Sequence, residues 1–292
     1  MRASSRRAPP ALPAPAPTAT LPAGARTGHV IVVSIDGLRP DAIDRAGART
    51  LQRLRAEGAS ATDARTILPS KTLPSHTSMV TGVDVDVHGI TWNTDLTARF
   101  GTVGVPTMFD VAHAAGLRTA AFVGKRKLRH LLRAGALDHT GYPRTESYLL
   151  ADAVADEVVE YLRFARPALL FVHLPDPDIA GHAFGWMSPP YRVAVRRADA
   201  AVGYIDGAAR RAFGSDYVLL VTADHGGSGH NHGSASDVDT QIPWIAWGRG
   251  VVAGPVTAPV RTYDTAATAL WLLGVPFPSA WAGRPVSSAF SR

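Results

Sequence analysis

Short apolar runs rich in β-branched residues recur along this chain, separated by stretches with helical spacing. HVIVVSI precedes Asp36, ALLFVHLP precedes Asp178, and YVLLVTA precedes Asp224. Runs of this length and make-up read as buried strands. The pattern predicts strands at 29–35, 118–123, 168–174 and 217–222, and one near 243–247. Helices are predicted within 40–57, at 106–115, 147–164 and 190–213, and near 263–273. Ile43, Leu51 and Leu54 give the first helix its apolar face and Gly58 its end. Pro106 falls in the first turn of the second, with Gly116 just past its end.

This alternation argues for an α/β fold, with a mostly parallel central sheet and helices on both faces. Ligands of such open sheets bind in the crevice beyond the carboxyl ends of the strands. The three aspartates are therefore expected on one rim. Residues 28–292 read as a single domain, with the irregular stretch 84–145 as a small cap. Residues 1–27, rich in Pro and Ala, read as a flexible tail. Prolines from Pro9 to Pro22 interrupt every candidate for the roughly 7–15 apolar residues of a secretory signal. Both a cytoplasmic and an exported location stay open. No run approaches the roughly 18 apolar residues of a membrane-spanning helix.

Composition removes several chemistries. The chain has no cysteine, so disulfides, thiolate ligands, a cysteine nucleophile and a cysteine-derived formylglycine are excluded. The formal charge of +6 comes from scattered basic residues, mostly arginine. No basic and aromatic module for nucleic acid is present. The basic run KRKLRHLLR, which starts at Lys125, reads as a solvated helix face.

Histidines follow two of the strand-end aspartates. His182 comes four residues after Asp178, His225 directly follows Asp224, and GHNHG then supplies His230 and His232. Three carboxylates and three imidazoles at one rim suggest a binuclear metal site. Asp178 and His182 share a face if the segment is helical, although Gly181 also permits a bend. Asp176 competes with Asp178 for the ligand role. His232, just ahead of Gly233, is preferred to His230. A hydroxyl donor is present as well. Thr72 precedes Pro74 by two positions, the arrangement of a helix start, where backbone N–H groups and the helix dipole favour negative charge. Taken alone, Thr72 is an ordinary cap. A cation held by Asp36, Asp224 and His225 would activate it as a nucleophile. Arg39, Trp92, Asn93 and Trp186 are candidates for lining the pocket, and Asp199 reads as structural.

VVSIDGLRPD, LPSKTLPSHTSMVTG, HGITWN, PDPDIAGHAFG and TADHGG, in this order, resemble the alkaline phosphatase superfamily and, within it, the type I phosphodiesterase/nucleotide pyrophosphatase family. The resemblance implies an alkaline-phosphatase-like fold and two divalent metal ions, zinc foremost, with manganese or iron as alternatives. It implies that Asp36, Asp224, His225 and Thr72 hold one ion and that Asp178, His182 and His232 hold the other. It further implies hydrolysis of phosphodiesters or nucleotide pyrophosphates through a phospho-threonine at Thr72, with Lys71 and Ser75 as auxiliary groups. His173-Leu174 stands where family members often carry an acidic pair. A phosphomonoesterase or phosphonate hydrolase on the same two-metal core is the alternative. A sulfatase is disfavoured because the convertible Cys or Ser is missing at Thr72. A silent binding protein and a phosphomutase are the remaining readings; the first lacks a missing ligand to support it, the second a large cap.

Overall fold

The computed structural model describes residues 24–145 and 147–291. Most of the stretch expected to be a flexible tail, residues 1–23, lies outside the described residues. Arg26 and Thr27, at its end, are fastened to the fold: their N–H groups donate to the Leu272 carbonyl.

Among the described residues ten strands follow in chain order: β1 (His29–Ile35), β2 (Ala59–Ala61), β3 (Ala64–Arg65), β4 (Thr119–Val123), β5 (His139–Gly141), β6 (Leu169–Leu174), β7 (Tyr217–Thr222), β8 (Trp244–Gly248), β9 (Gly254–Val256) and β10 (Val260–Arg261). Eight of them form one sheet in the order β5-β4-β6-β1-β7-β8-β2-β9, while β3 pairs with β10. Strands β5, β4, β6, β1 and β7 are parallel, and β8 runs antiparallel to β7. β1 lies between β6 and β7, with Ile35 level with Leu174 and Ser34 level with Thr222. The predicted α/β architecture is the one observed.

Both faces of the sheet are covered, which is why the central strands are apolar throughout rather than alternating. Val30, Ile31, Val32, Val33 and Ile35 are all fully buried. Each such side chain contributes roughly 1.5–3 kcal/mol on burial. One helical layer contains Ala42–Ala46, Arg49–Glu57, Ala151–Phe164, Asp176–Phe184 and Pro189–Phe213; another contains Thr72–Thr81, Met108–Ala114 and Asp264–Leu272.

Three predicted helices differ in detail. The 40–57 helix is two, because Gly47 adopts a left-handed φ of 68° and closes the first. Asp199 then accepts the Thr50 and Leu51 N–H groups at the start of the second, which is the structural role expected of it. The 106–115 helix begins at Met108. Thr107 and Asp110 form a reciprocal capping box, so Pro106 stands outside. The 147–164 helix begins at Ala151, whose N–H donates to Asp176. Within 84–145, β4 and β5 belong to the main sheet.

His88 follows from the same packing. It is buried, accepts the Ile90 N–H through Nδ1 and bonds the Ser78 hydroxyl through Nε2. Burial pushes its pKa down to about 4 from an ordinary 6.5. Between these values the unfolded chain takes up a proton that the folded one refuses, so stability falls as pH falls. The loss amounts to about 3 kcal/mol. Denaturant titrations at neutral pH and near pH 4 should therefore show a shallower pH slope for His88→Gln than for the wild type. Equal slopes would contradict this.

Candidate active site

The parallel strands bring their carboxyl ends to one rim. Asp36 follows β1 directly, and its N–H donates to Leu174 O of β6. Gly37 then turns with a φ of 71°. A Cβ there would lie 3.0 Å from Asp178 Cα, so glycine permits the β1 and β6 exits to touch. Asp178 N–H donates to Asp36 O. Asp178 and His182 lie on one helix, Asp176–Phe184, with Nε2 of His182 3.3 Å from Asp178 Oδ1. Of the two geometries open in the sequence, the helix is the one adopted.

His225 lies at the centre. Its Nε2 is 3.2 Å from Asp224 Oδ2, 3.4 Å from Asp36 Oδ1 and 3.8 Å from Asp178 Oδ1. Thr72 Oγ1 is 3.4 Å from the same nitrogen. His232 stacks on His225 with centroids 3.6 Å apart and brings its Nε2 to 3.5 Å from Asp178 Oδ1. Asp36, Asp178, His182, Asp224, His225, His232 and Thr72 thus converge. Two tight donor groups emerge, Asp36–Asp224–His225 and Asp178–His225–His232. The second contains His225 where the resemblance implies His182, which is the most exposed imidazole of the set. Asp176 is turned away to cap a helix, and His230 bonds the His182 carbonyl instead of a carboxylate.

The donor set suits divalent cations. Asp36 Oδ1, Asp178 Oδ1 and Asp224 Oδ2 are buried without a hydrogen-bond partner, a costly state unless something binds them. Each histidine has its Nδ1 on a backbone carbonyl: His225 on Gly226, His232 on Ser70, His182 on His230. An Nδ1–H donated in this way leaves the Nε2 lone pair as the ligand, the usual arrangement of a metal-binding imidazole. Oxygen and nitrogen donors without thiolate fit zinc, and also manganese or iron.

The electrostatics agree. Burial, then the neighbouring Asp36 charge, pushes Asp224 up to about 8. Burial alone would lower His225, but Asp224 and Asp36 outweigh it and raise the imidazole to about 9. Burial and the His225 charge push His232 down to about 4. Burial also opposes ionisation of Asp36, yet the Lys125 charge, the hydrogen bond from His173 and the nearby His225 imidazole hold it well below the usual carboxylate range. The pocket carries more negative charge than its own cations neutralise and retains protons to compensate. Divalent cations would displace those protons.

Thr72 opens the helix Thr72–Thr81. The cap residue is Lys71, not Thr72, and it makes no side-chain cap bond. The Thr72 hydroxyl is therefore not spent on capping. Lys71 lays its stem along Gly233. Ser75 is fully buried and accepts a bond from the Thr66 hydroxyl. Asn93 Oδ1 accepts both the Leu73 N–H and the Lys127 ammonium, which leaves its amide Nδ2 as the free donor. Arg39 pairs with Asp41 and the Gly227 carbonyl. Trp186 is buried, donates to Gly37 O, and fills the space that the missing Cβ atoms of Gly181 and Gly227 leave. Trp92 packs on Phe100 and His130.

Sequence reasoning missed a second layer. Lys125, read as part of a solvated helix face, is buried and bonds Asp36 at 2.8 Å and Asp178 as well. The run after it forms a short 3₁₀ helix, Arg126–Leu131, with Leu128, His130 and Leu131 buried. The available signal was Gly124, which places Lys125 just beyond β4 and so on the same rim as the aspartates. His173 accepts the Gly124 N–H through Nδ1 and bonds Asp36 through Nε2 at 2.8 Å. His76 bonds Ser34 and Thr72 O beneath the site.

A family profile described as "Type I phosphodiesterase / nucleotide pyrophosphatase" matches residues 30–243. The chain belongs to that family. It is 27% identical over 234 residues to an uncharacterised pyrophosphatase/phosphodiesterase of Schizosaccharomyces pombe, covering 74% of this chain and 47% of the relative. It is 26% identical to the venom phosphodiesterase of Macrovipera lebetinus, covering 71% of this chain and 26% of that one. The chain thus spans about half or less of these relatives. An inactive form of murine ectonucleotide pyrophosphatase/phosphodiesterase 5, solved with AMP, superposes with a TM-score of 0.76 at 15% identity, covering 90% of this chain and 100% of the other.

Proposed function

We propose that this chain is a metal-dependent hydrolase of phosphate esters, acting on phosphodiesters or nucleotide pyrophosphates through a phospho-threonine at Thr72. The observation that carries the reading is the Thr72 hydroxyl at a helix start, 3.4 Å from His225 Nε2, amid three buried carboxylate oxygens without partners. The names of the yeast and viper relatives and the AMP bound by the mouse protein support the substrate class.

Asp36, Asp224, His225 and Thr72 would hold one cation, and Asp178, His182 and His232 the other. Bound there, two divalent ions lower the pKa of a neighbouring hydroxyl and neutralise charge on a phosphoryl group. Thr72 Oγ1 gives its proton to water and forms a bond to phosphorus while the bond to the leaving oxygen breaks. The dipole of the Thr72–Thr81 helix favours the incoming negative charge. The free Asn93 amide N–H donates to a non-bridging oxygen, and Lys71 and Ser75 are auxiliary groups near the nucleophile. The departing oxygen takes a proton from water. A second water then cleaves the Thr72 phosphate ester and restores the hydroxyl.

The alternative on the same core is hydrolysis of phosphomonoesters or phosphonates. Chelator-stripped protein, before and after zinc is restored, should be assayed on a bis-aryl phosphate and an aryl monophosphate. Diester turnover is expected to vanish on stripping and return with zinc, with the diester preferred. Preference for the monoester would favour the alternative. No turnover of either by zinc-loaded protein would overturn the proposal.

A further inference from the structure

We infer that Lys125 is a positioning residue of the paired cation site. Its ammonium joins the two halves, holds Asp36 and Asp178 by their outer oxygens, and weakens the affinity of the donor set for divalent cations. The inference rests on the metal-dependent reading above and extends it to a residue outside the ligand set.

The division of labour among the carboxylate oxygens supports it. Asp224 has Oδ1 held by the Gly37 and His225 N–H groups, while Oδ2 is unpartnered. Asp36 has Oδ2 held by Lys125 and His173, while Oδ1 is unpartnered. Asp178 has Oδ2 held by Lys125, while Oδ1 is unpartnered. In every case one oxygen is tied to the protein and the other faces the imidazole nitrogens. For Asp36 and Asp178 the tie is the same ammonium. A carboxylate held in this way offers one oxygen and keeps its orientation before any cation arrives.

The backbone leaves the lysine little choice. A Cβ on Gly124 would lie 2.5 Å from Pro175 Cδ and 2.7 Å from Leu149 O, so the exits of β4 and β6 are pressed together. Lys125 itself bridges to Tyr148 through its main chain. Its side chain is 10% exposed and ends between the two carboxylates. It also brings a fixed positive charge into contact with two proposed ligands. That charge repels an incoming cation while it orders the oxygens that receive it. Lys127, next on the same segment, makes no ion pair among the described residues and bonds Asn93 instead.

The test compares wild type, Lys125→Met, Lys125→Gln and Lys127→Met. Zinc affinity is read by competition with a chromophoric chelator, and the zinc-induced rise in melting temperature is measured in parallel. Both Lys125 variants are expected to bind zinc at least about tenfold more tightly, as loss of one nearby positive charge requires. Their zinc-induced rise in melting temperature should exceed that of the wild type. The kcat should fall more than KM rises, because the oxygens are no longer fixed. Lys127→Met removes a charge that contacts neither carboxylate and should tighten zinc binding clearly less than either Lys125 variant. If a metal-free Lys125 variant does not fold, it is purified with zinc, and chelator titration of the loaded form still reads affinity. Unchanged or weaker zinc binding by the Lys125 variants overturns this inference alone, and unchanged binding with a raised KM would make Lys125 a substrate contact. Absence of zinc binding by the wild type overturns the metal-dependent reading, and that failure appears in a different arm.

Discussion

Thr72→Ala is expected to lower phosphodiester turnover by at least about a thousandfold, the scale seen when a covalent nucleophile is removed. Metal content should stay close to that of the wild type. Asp36, Asp224 and His225 still supply three donors to the cation that Thr72 adjoins, and the second donor group does not include the threonine. Folding should also survive. Thr72 is fully buried, yet it does not cap its helix, and alanine is a better helix former. Thr72→Ser keeps the hydroxyl and should retain measurable turnover. A rapid acid quench of the wild type with excess phosphodiester should give a peptide containing Thr72 that has gained the phosphoryl group together with its remaining ester substituent; the alanine variant should not. Turnover by Thr72→Ala at the wild-type rate would exclude the covalent route.

The parts of this molecule that the sequence announces are those set by burial. β1, β6 and β7 are buried from end to end and mostly apolar because the sheet is covered on both faces, and the polar residues just past them had to emerge at a rim. Asp36, Asp224 and the competing pair Asp176 and Asp178 were visible for that reason. The short strands β2, β3, β5, β9 and β10 were not, since two or three residues carry no periodicity and their pairing depends on distant partners. The break at Gly47 was hidden because residues on both sides keep a helical apolar spacing. Lys125 was concealed by its neighbours: a run of basic residues looks solvated unless the opposing carboxylates are known to be near. His173 sat inside an apolar run with no sign that its ring reaches Asp36. The shared position of His225 between the two donor groups also depends on three-dimensional proximity, because His225 and Asp178 are far apart in the chain.

Gly226→Ala should be the most damaging single methyl group near the site. A Cβ at this position would lie 2.0 Å from the Val238 carbonyl oxygen, a backbone atom that cannot rotate aside. The Gly226 N–H donates to Asp239 O at 2.8 Å, and its carbonyl accepts His225 Nδ1 at 2.7 Å. The turn is thus fixed to the 237–240 segment on one side and orients the central imidazole on the other. Relief of the overlap must move the backbone that carries Asp224 and His225 together. Such overpacking costs about 1–3 kcal/mol or more, which for a domain of this size lowers the melting temperature by several degrees. The displacement of His225 should reduce zinc binding and cut turnover by about a hundredfold or more, the penalty of misplacing groups by about an ångström. Gly104→Ala is the control, because a Cβ there meets nothing within 4 Å. It should match the wild type in melting temperature, zinc content and rate. If Gly226→Ala matched it as well, the tight turn would not be what holds His225 in register with Asp36 and Asp224.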